Sequence, residues 1–228
     1  KMKQTGLVRK PLYVVPNHML EQFSREFYQL YPDAKLLIAS KEDFTREKRK
    51  LLTAKTASGE WDGIIMTHAS FEKIGMSPGF QEGFIREQIR EYESLLTDMQ
   101  GGADEGGKRL IKRIEKQKEG WEARLEELAN SEHKDSGLTF EDLGVDHLFI
   151  DEAHLFKNLE TPTKMGQVAG VQTSGSLRAF DLFMKSRYLD RHGHGTTFAT
   201  GTPVSNSMVE MYTMSRFLAP ELLEERGI

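Results

Sequence analysis

Five short apolar runs punctuate the chain, each closed by a breaker or a polar residue. Leu12-Tyr13-Val14-Val15 stops at Pro16. Lys35-Leu36-Leu37-Ile38-Ala39, Gly63-Ile64-Ile65-Met66, His147-Leu148-Phe149-Ile150 and Thr197-Phe198-Ala199 follow. The apolar residues run on without alternating, as strands buried on both faces do. Between the runs, apolar positions recur at helical spacing. Met19, Leu20, Phe23 and Phe27 form one face, with Asn17 placed to cap it. Leu177, Phe180, Phe183 and Met184 form a second, started by Ser174 or Ser176. Val209, Met211, Tyr212 and Phe217 form a third, started by Ser205 or Asn206. Strands alternating with helices predict an α/β fold built on a parallel sheet with right-handed crossovers.

Residues 80–135 break that rhythm. Ile85, Ile89, Tyr92, Leu96 and Met99 step by fours and threes. Ile111, Ile114, Trp121, Leu125 and Leu128 keep the same register, with Lys118 in one slot. The glycine-rich stretch from Gly101 to Gly107 separates them. The pattern predicts an antiparallel helical hairpin inserted before the fourth strand; the alternative is two ordinary amphipathic helices packed on the domain. The expected division is 1–79 and 136–228 as two parts of one sheet domain, with 80–135 as the insertion.

Composition narrows the classes. The chain has 228 residues, 38% hydrophobic and 29% charged, enough for one large core. It has no cysteine, which excludes a disulfide scaffold, a thiolate metal site and a cysteine nucleophile, and fits a cytoplasmic setting. No run of about 18 apolar residues exists to span a membrane. The N-terminus has neither the apolar core of a signal peptide nor an initiating Met, so the chain reads as a piece of a longer protein. The net charge of −4 excludes a nucleic-acid binder working by bulk positive charge. Residues 1–80 carry an excess of about four positive charges, and each later stretch about four negative. A phosphate-binding surface is therefore expected in the first third, where Arg46-Glu47-Lys48-Arg49-Lys50 is either a solvated face or a phosphate contact.

The densest chemistry lies at Leu148-Phe149-Ile150-Asp151-Glu152-Ala153-His154. Ligands of an open parallel sheet bind beyond the carboxyl ends of its strands, so a buried strand here delivers two carboxylates to the ligand edge. Adjacent carboxylates repel unless a cation or donors compensate, and oxygen ligands suit Mg²⁺. Asp151 is the candidate magnesium ligand. Glu152 is the candidate base for a water attacking a γ-phosphate. The competing reading is a helix start beginning Asp-Glu. Three other strand ends share the layout. Thr200-Gly201-Thr202-Pro203 follows the fifth run, Pro16-Asn17 the first, and Thr67-His68 the third. Helix starts at Asn17 and near Ser70 offer amides to phosphates.

These residues resemble a known family. Asp151-Glu152-Ala153-His154 is similar to motif II (the DEAH-type Walker B element) of superfamily 2 helicases, and Ala199-Thr200-Gly201-Thr202-Pro203-Val204-Ser205-Asn206 to motif III of the Swi/Snf-like branch. Leu12-Tyr13-Val14-Val15-Pro16 with Gln22-Phe23 resembles motif Ia. Trp61-Asp62-Gly63-Ile64-Ile65-Met66-Thr67-His68 resembles motif Ib, and Lys157-Asn158 also matches the Swi/Snf-like pattern. The run from Thr202 to Tyr212 is most similar to the helicase region of large phage- and plasmid-borne DNA methylase/helicase polypeptides. The resemblance implies a partial RecA-like domain with helices on both faces of its sheet, the first motor domain of an ATP-dependent DNA helicase or translocase. It implies that Asp151 binds Mg²⁺, Glu152 is the catalytic base and His154 links the nucleotide site to motif III. Thr200, Gly201 and Thr202 would transmit hydrolysis, while Pro16, Asn17, Thr67 and His68 would lie along the tracked DNA strand. A second RecA-like domain of the same polypeptide and a protein docked on the hairpin are the further implied partners.

One departure stands out. No G-x-x-x-x-G-K-[ST] loop exists, and Gly106-Gly107-Lys108-Arg109 has the wrong spacing and falls in the expected hairpin turn. The family's order puts that loop before Lys1 and the second motor domain after Ile228. These residues alone are therefore expected to show no ATP turnover. The runner-up function is an interaction module using the hairpin. A nuclease would need more converging carboxylates.

Elsewhere structural roles are expected. Trp121 and Trp61 read as packing residues, His18 and His133 as surface groups, and His192-Gly193-His194 as a solvated turn. Arg178, Lys185, Arg187 and Arg191 read as a solvated basic face, with phosphate contact as the alternative, and Gly166 to Gly175 as a mobile loop.

Overall fold

The computed structural model describes residues 1–99, 105–130, 139–160, 175–204 and 209–226. Five strands, β1 (Pro11–Val15), β2 (Leu36–Ala39), β3 (Gly63–Thr67), β4 (His147–Asp151) and β5 (Gly195–Ala199), fall on the five apolar runs. They form one parallel sheet in the order β2-β3-β1-β4-β5. All five C-terminal ends therefore share one rim. Register sets Val15 beside Thr67, and Asp151 beside Ala199.

The two faces of the sheet are clothed differently. Leu12, Val14, Ile64, Met66, Leu148 and Ile150 point into the main core with Phe71, Phe156 and Phe180. Tyr13 points to the other face, stacks on Phe149 with ring centroids 4.8 Å apart, and meets Phe23 and Phe27 of helix α1 (Leu20–Leu30). Helices thus lie on both faces, in keeping with an α/β, RecA-like core.

The helix starts differ in part from expectation. Asn17 caps nothing with its side chain. It opens a one-turn 3-10 segment, Asn17–Met19, and α1 begins only at Leu20. Helix α2 (Arg46–Ser58) carries the basic run at its start. Helix α3 (His68–Phe71) is a single turn capped by Thr67, whose hydroxyl accepts from the Ser70 amide. Helices α4 (Pro78–Met99) and α5 (Glu105–Asn130) form the hairpin. Gly106-Gly107-Lys108-Arg109 belongs to the first turns of α5 rather than to a free turn, since the helix continues back to Glu105. Ser176 caps α6 (Leu177–Arg191) by accepting from the Ala179 amide at 3.0 Å, a contact of about 1 kcal/mol. Helices α7 (Val209–Leu218) and α8 (Pro220–Glu225) follow. Ser174, Ser205, Asn206, His133 and the stretch from Gly166 to Ser174 lie outside the described residues.

The hairpin is bound to the core by more than apolar contact. Phe84 of α4 packs on Phe180 and Phe183 of α6, and Trp121 of α5 lies 4.5 Å from Phe180. Glu160, eight residues beyond Glu152, accepts from Tyr92 Oη at 2.6 Å and from Trp121 Nε1 at 3.3 Å. Tyr92 is pushed upward from its ordinary value, first by burial and then by the Glu160 charge.

Lys185 overturns the expectation of a solvated basic face. It is fully buried, because α6 turns that side chain under α3. Its ammonium donates to Asp181 at 2.6 Å and to the Phe71 carbonyl at 3.0 Å, over the Phe71 ring. Arg178, Arg187 and Arg191 are instead paired with Glu72, Asp190 and Glu87.

Candidate functional site

The β4 strand ends where Asp151 leaves the sheet, and the backbone then does something costly. Glu152 takes φ +50° and ψ +46°, a left-handed conformation no other non-glycine residue adopts among the described residues. A side chain held there costs on the order of 1–2 kcal/mol, and such outliers gather at functional sites. The turn is held by the Glu152 amide, which donates to Asp151 Oδ1 at 3.0 Å. A short 3-10 segment, Ala153–Phe156, completes it, with Ala153 and Phe156 buried beneath.

This conformation aims Glu152 at its neighbours. Its Oε2 lies 3.0 Å from His154 Nδ1, and the same nitrogen lies 3.2 Å from Thr200 Oγ1 at the end of β5. A carboxylate accepts only, so the contact with Glu152 is favourable when Nδ1 carries the proton, while the Thr200 hydroxyl can serve either Nδ1 form. Thr200 Oγ1 also accepts from the Thr202 amide at 3.2 Å, which shapes the turn through Gly201. Asp151, Glu152, His154, Thr200, Gly201 and Thr202 therefore meet across the adjacent ends of β4 and β5 on one rim. Glu152 and His154 are partly open to solvent, with side chains 44% and 31% exposed, as groups that must meet a ligand require.

The residues at the ends of β1 and β3 divide. Asn17 is exposed. Pro16 and Thr67 are buried, and Thr67 is spent on capping α3. His68 is also buried, at 3% exposure. Its Nε2 donates to the main-chain carbonyl of Asp151 at 2.9 Å, and its ring meets Phe156 edge-on. Burial pushes this imidazole below its ordinary value, so the neutral Nε2–H form is the donor. The sequence expectation set Thr67 and His68 along a nucleic-acid path. In the fold their side chains sit behind the surface, and His68 braces the acidic turn.

Sequence reading missed a second layer of this site. Lys157 Nζ pairs with Glu210 Oε1 at 2.8 Å, tying the segment after the acidic turn to α7. Arg216 of α7 donates to the Glu160 carbonyl at 3.1 Å. Arg178 lies over the Phe156 ring while pairing with Glu72. Only Lys157 carried any signal, through its place after the acidic motif. The others are ordinary charges in sequence, joined only by the chain's return.

The donor set admits Mg²⁺. Asp151 supplies a half-buried carboxylate at the strand end, and magnesium is commonly held by one or two carboxylates together with waters and substrate phosphates. Among the described residues no group of three or more His, Asp or Glu gathers into an all-protein metal cage. No helix among them is long and apolar enough to cross a membrane.

Comparison with known proteins agrees with the geometry. A family model for a probable helicase domain matches residues 1–228. The chain is also 33% identical over 110 residues to the Defense against restriction protein B of Escherichia phage P1. That match covers 43% of this chain and 5% of the phage protein, so the chain spans only a small part of that relative.

Proposed function

The chain belongs to the probable helicase domain family, and from that premise we propose that it is the first RecA-like motor domain of an ATP-dependent DNA helicase or translocase of superfamily 2, Swi/Snf-like type. The observation that carries this reading is the hydrogen-bonded set Glu152, His154 and Thr200 across two neighbouring strand ends. A general base needs a fixed carboxylate at the ligand rim, and a motor needs that base linked to an element that moves.

In this reading Asp151 holds Mg²⁺, which when bound neutralises phosphate charge. Glu152 orients the attacking water and takes its proton. His154 holds the Glu152 carboxylate and passes its position to Thr200, Gly201 and Thr202. Asn17, exposed at the end of β1, is placed to meet DNA. His68 acts as a positioning residue for the acidic turn. The phosphate loop and a second RecA-like domain come from elsewhere in a longer polypeptide. The match to a small part of a phage protein supports that view.

The test is DNA-stimulated ATP turnover by the full-length polypeptide beside its Glu152→Gln variant. Removal of a general base lowers the rate by about 10²–10⁴-fold. Unchanged turnover in the variant would overturn the assignment. The 228 residues alone are expected to show none.

A further inference from the structure

Helix α5 sorts its charges by face. At 3.6 residues per turn, Ile114, Trp121 and Leu125 share the side turned to the core. Glu115, Glu119 and Glu122 fall on a second side. Lys112, Arg113, Lys116 and Arg124 fall on a third, with Arg109 one turn before them and a single acid, Glu127, at its end. Lys118 lies apart from these cations and is paired with both Glu93 and Glu122. Counting charge along the sequence hides the separation, because residues 81–135 are acidic in total.

The basic side faces a groove of about 600 Å³ between α5 and the start of α6. Arg113, Lys116 and Arg124 line one wall, and Glu160, Ser176 and Phe180 the other; Lys112 lies one turn before Lys116 on the same side of the helix, beyond the lining. Arg124 is held flat, its guanidinium 4.5 Å from the Phe180 ring and 5.4 Å from Trp121. Gly120 lies between the cations, and no other side chain or backbone comes within 4 Å of where its Cβ would be. A glycine inside a helix costs about 1 kcal/mol relative to alanine, and here it leaves the floor of the groove bare. Three acids lie near Arg124, namely Asp181, Glu127 and Glu160, and two of them are already engaged. Glu160 accepts from Tyr92 and Trp121, and Asp181 from Lys185.

We propose that this groove binds a nucleic-acid backbone, with Arg113, Lys116 and Arg124 contacting phosphates inside it and Lys112 extending the path beyond its end. The inference rests on the nucleic-acid reading above and adds a contact surface outside the motif-bearing rim. Lys112 to Arg124 spans about 18 Å at 1.5 Å per residue. That is too long for one free phosphate and suits a continuous strand. An open groove with cations on one wall and an aromatic ring on the other fits a phosphodiester chain better than an acidic peptide, whose side chains would need deeper pockets.

The test is fluorescence anisotropy of a labelled 20-nucleotide strand, single and in duplex, titrated with the intact protein across a salt series. Lys112→Gln with Lys116→Gln changes two exposed positions and should leave the thermal melt unaltered. It is expected to weaken binding by tenfold or more, and to reduce the log–log salt slope by about 0.7–0.9 per cation removed. Lys35→Gln with Lys73→Gln, equal in charge and placed on other elements, should keep both values. Affinity and slope unchanged in the first pair, or equal losses in the second, would overturn the groove. Oligonucleotide binding by the parent protein with no effect of the first pair would sink the groove alone. No binding by the parent protein would remove the nucleic-acid reading beneath it.

Discussion

His154 Nδ1 stands 3.2 Å from the Thr200 hydroxyl and so joins the turn after β4 to the turn after β5. The two turns are 46 residues apart in sequence and adjacent only because β4 and β5 pair in parallel. The same nitrogen holds Glu152. A shift of one turn must therefore move the other or break a hydrogen bond.

Thr200→Val removes the hydroxyl and keeps the shape of the side chain. In the full-length polypeptide, basal ATP turnover is expected to stay within a few-fold of the parent while stimulation by DNA falls by tenfold or more. Steady-state rates with and without DNA measure both. Equal loss of the two rates would place Thr200 in the chemical step and not in coupling.

Glu152→Gly relieves the left-handed backbone at φ +50°. Glycine gains more freedom in the unfolded chain, which offsets part of the relief. The net expectation is about 1 kcal/mol of added stability in a denaturant melt, together with lost turnover. A destabilised variant would show that the Glu152 side chain contributes more to the fold than its backbone costs.

Lys185→Met leaves Asp181 buried without its ammonium partner. Breaking such a pair costs about 3–5 kcal/mol near neutral pH. Burial already raises Asp181 above the ordinary carboxylate range, and loss of Lys185 raises it further. A carboxyl raised in the folded state contributes stability that is fully present below its unfolded value and lost as pH rises through the folded one. The deficit of the variant should therefore shrink as melts move from pH 7 toward pH 4. A deficit independent of pH would show that packing, not charge, dominates.

Tyr92→Phe deletes the hydroxyl that Glu160 accepts from, at a cost of about 1–3 kcal/mol. Tyr92 is raised in the folded state, so its contribution is lost as pH climbs beyond its unfolded value near 10. The parent should weaken in that alkaline range, and the variant should weaken less. Urea melts from pH 8 to pH 10.5 compare the two slopes.

Much of this architecture was legible before any coordinates. Short apolar runs marked all five strands, but burial on both faces holds only for β1 and β3 at the centre; β2 and β4 alternate, and the edge strand β5 has no buried residue. The acidic pair and the Thr200 turn were found because strand ends are local features and their order follows the chain. The brace from His68 was not legible. It contacts a main-chain carbonyl, which has no side-chain signature, and the resemblance set Thr67 and His68 along the DNA strand. Lys185 was misread because helical spacing gives a residue's face and not what packs on it. Asn17 suited a cap, but the 3-10 turn that Pro16 leads into delays the helix to Leu20. The charge sides of α5 were present in the sequence and were lost when charge was summed over a long stretch.

The His68 brace grips the backbone of Asp151 and leaves its carboxylate alone. The Asp151 carboxylate meanwhile accepts from the Glu152 amide, so this one residue is fastened at both its main chain and its side chain. A lineage that exchanged the acid at 151 for an amide would keep an oxygen for the Glu152 amide as well as the His68 brace, and so could retire the chemistry while inheriting the loop.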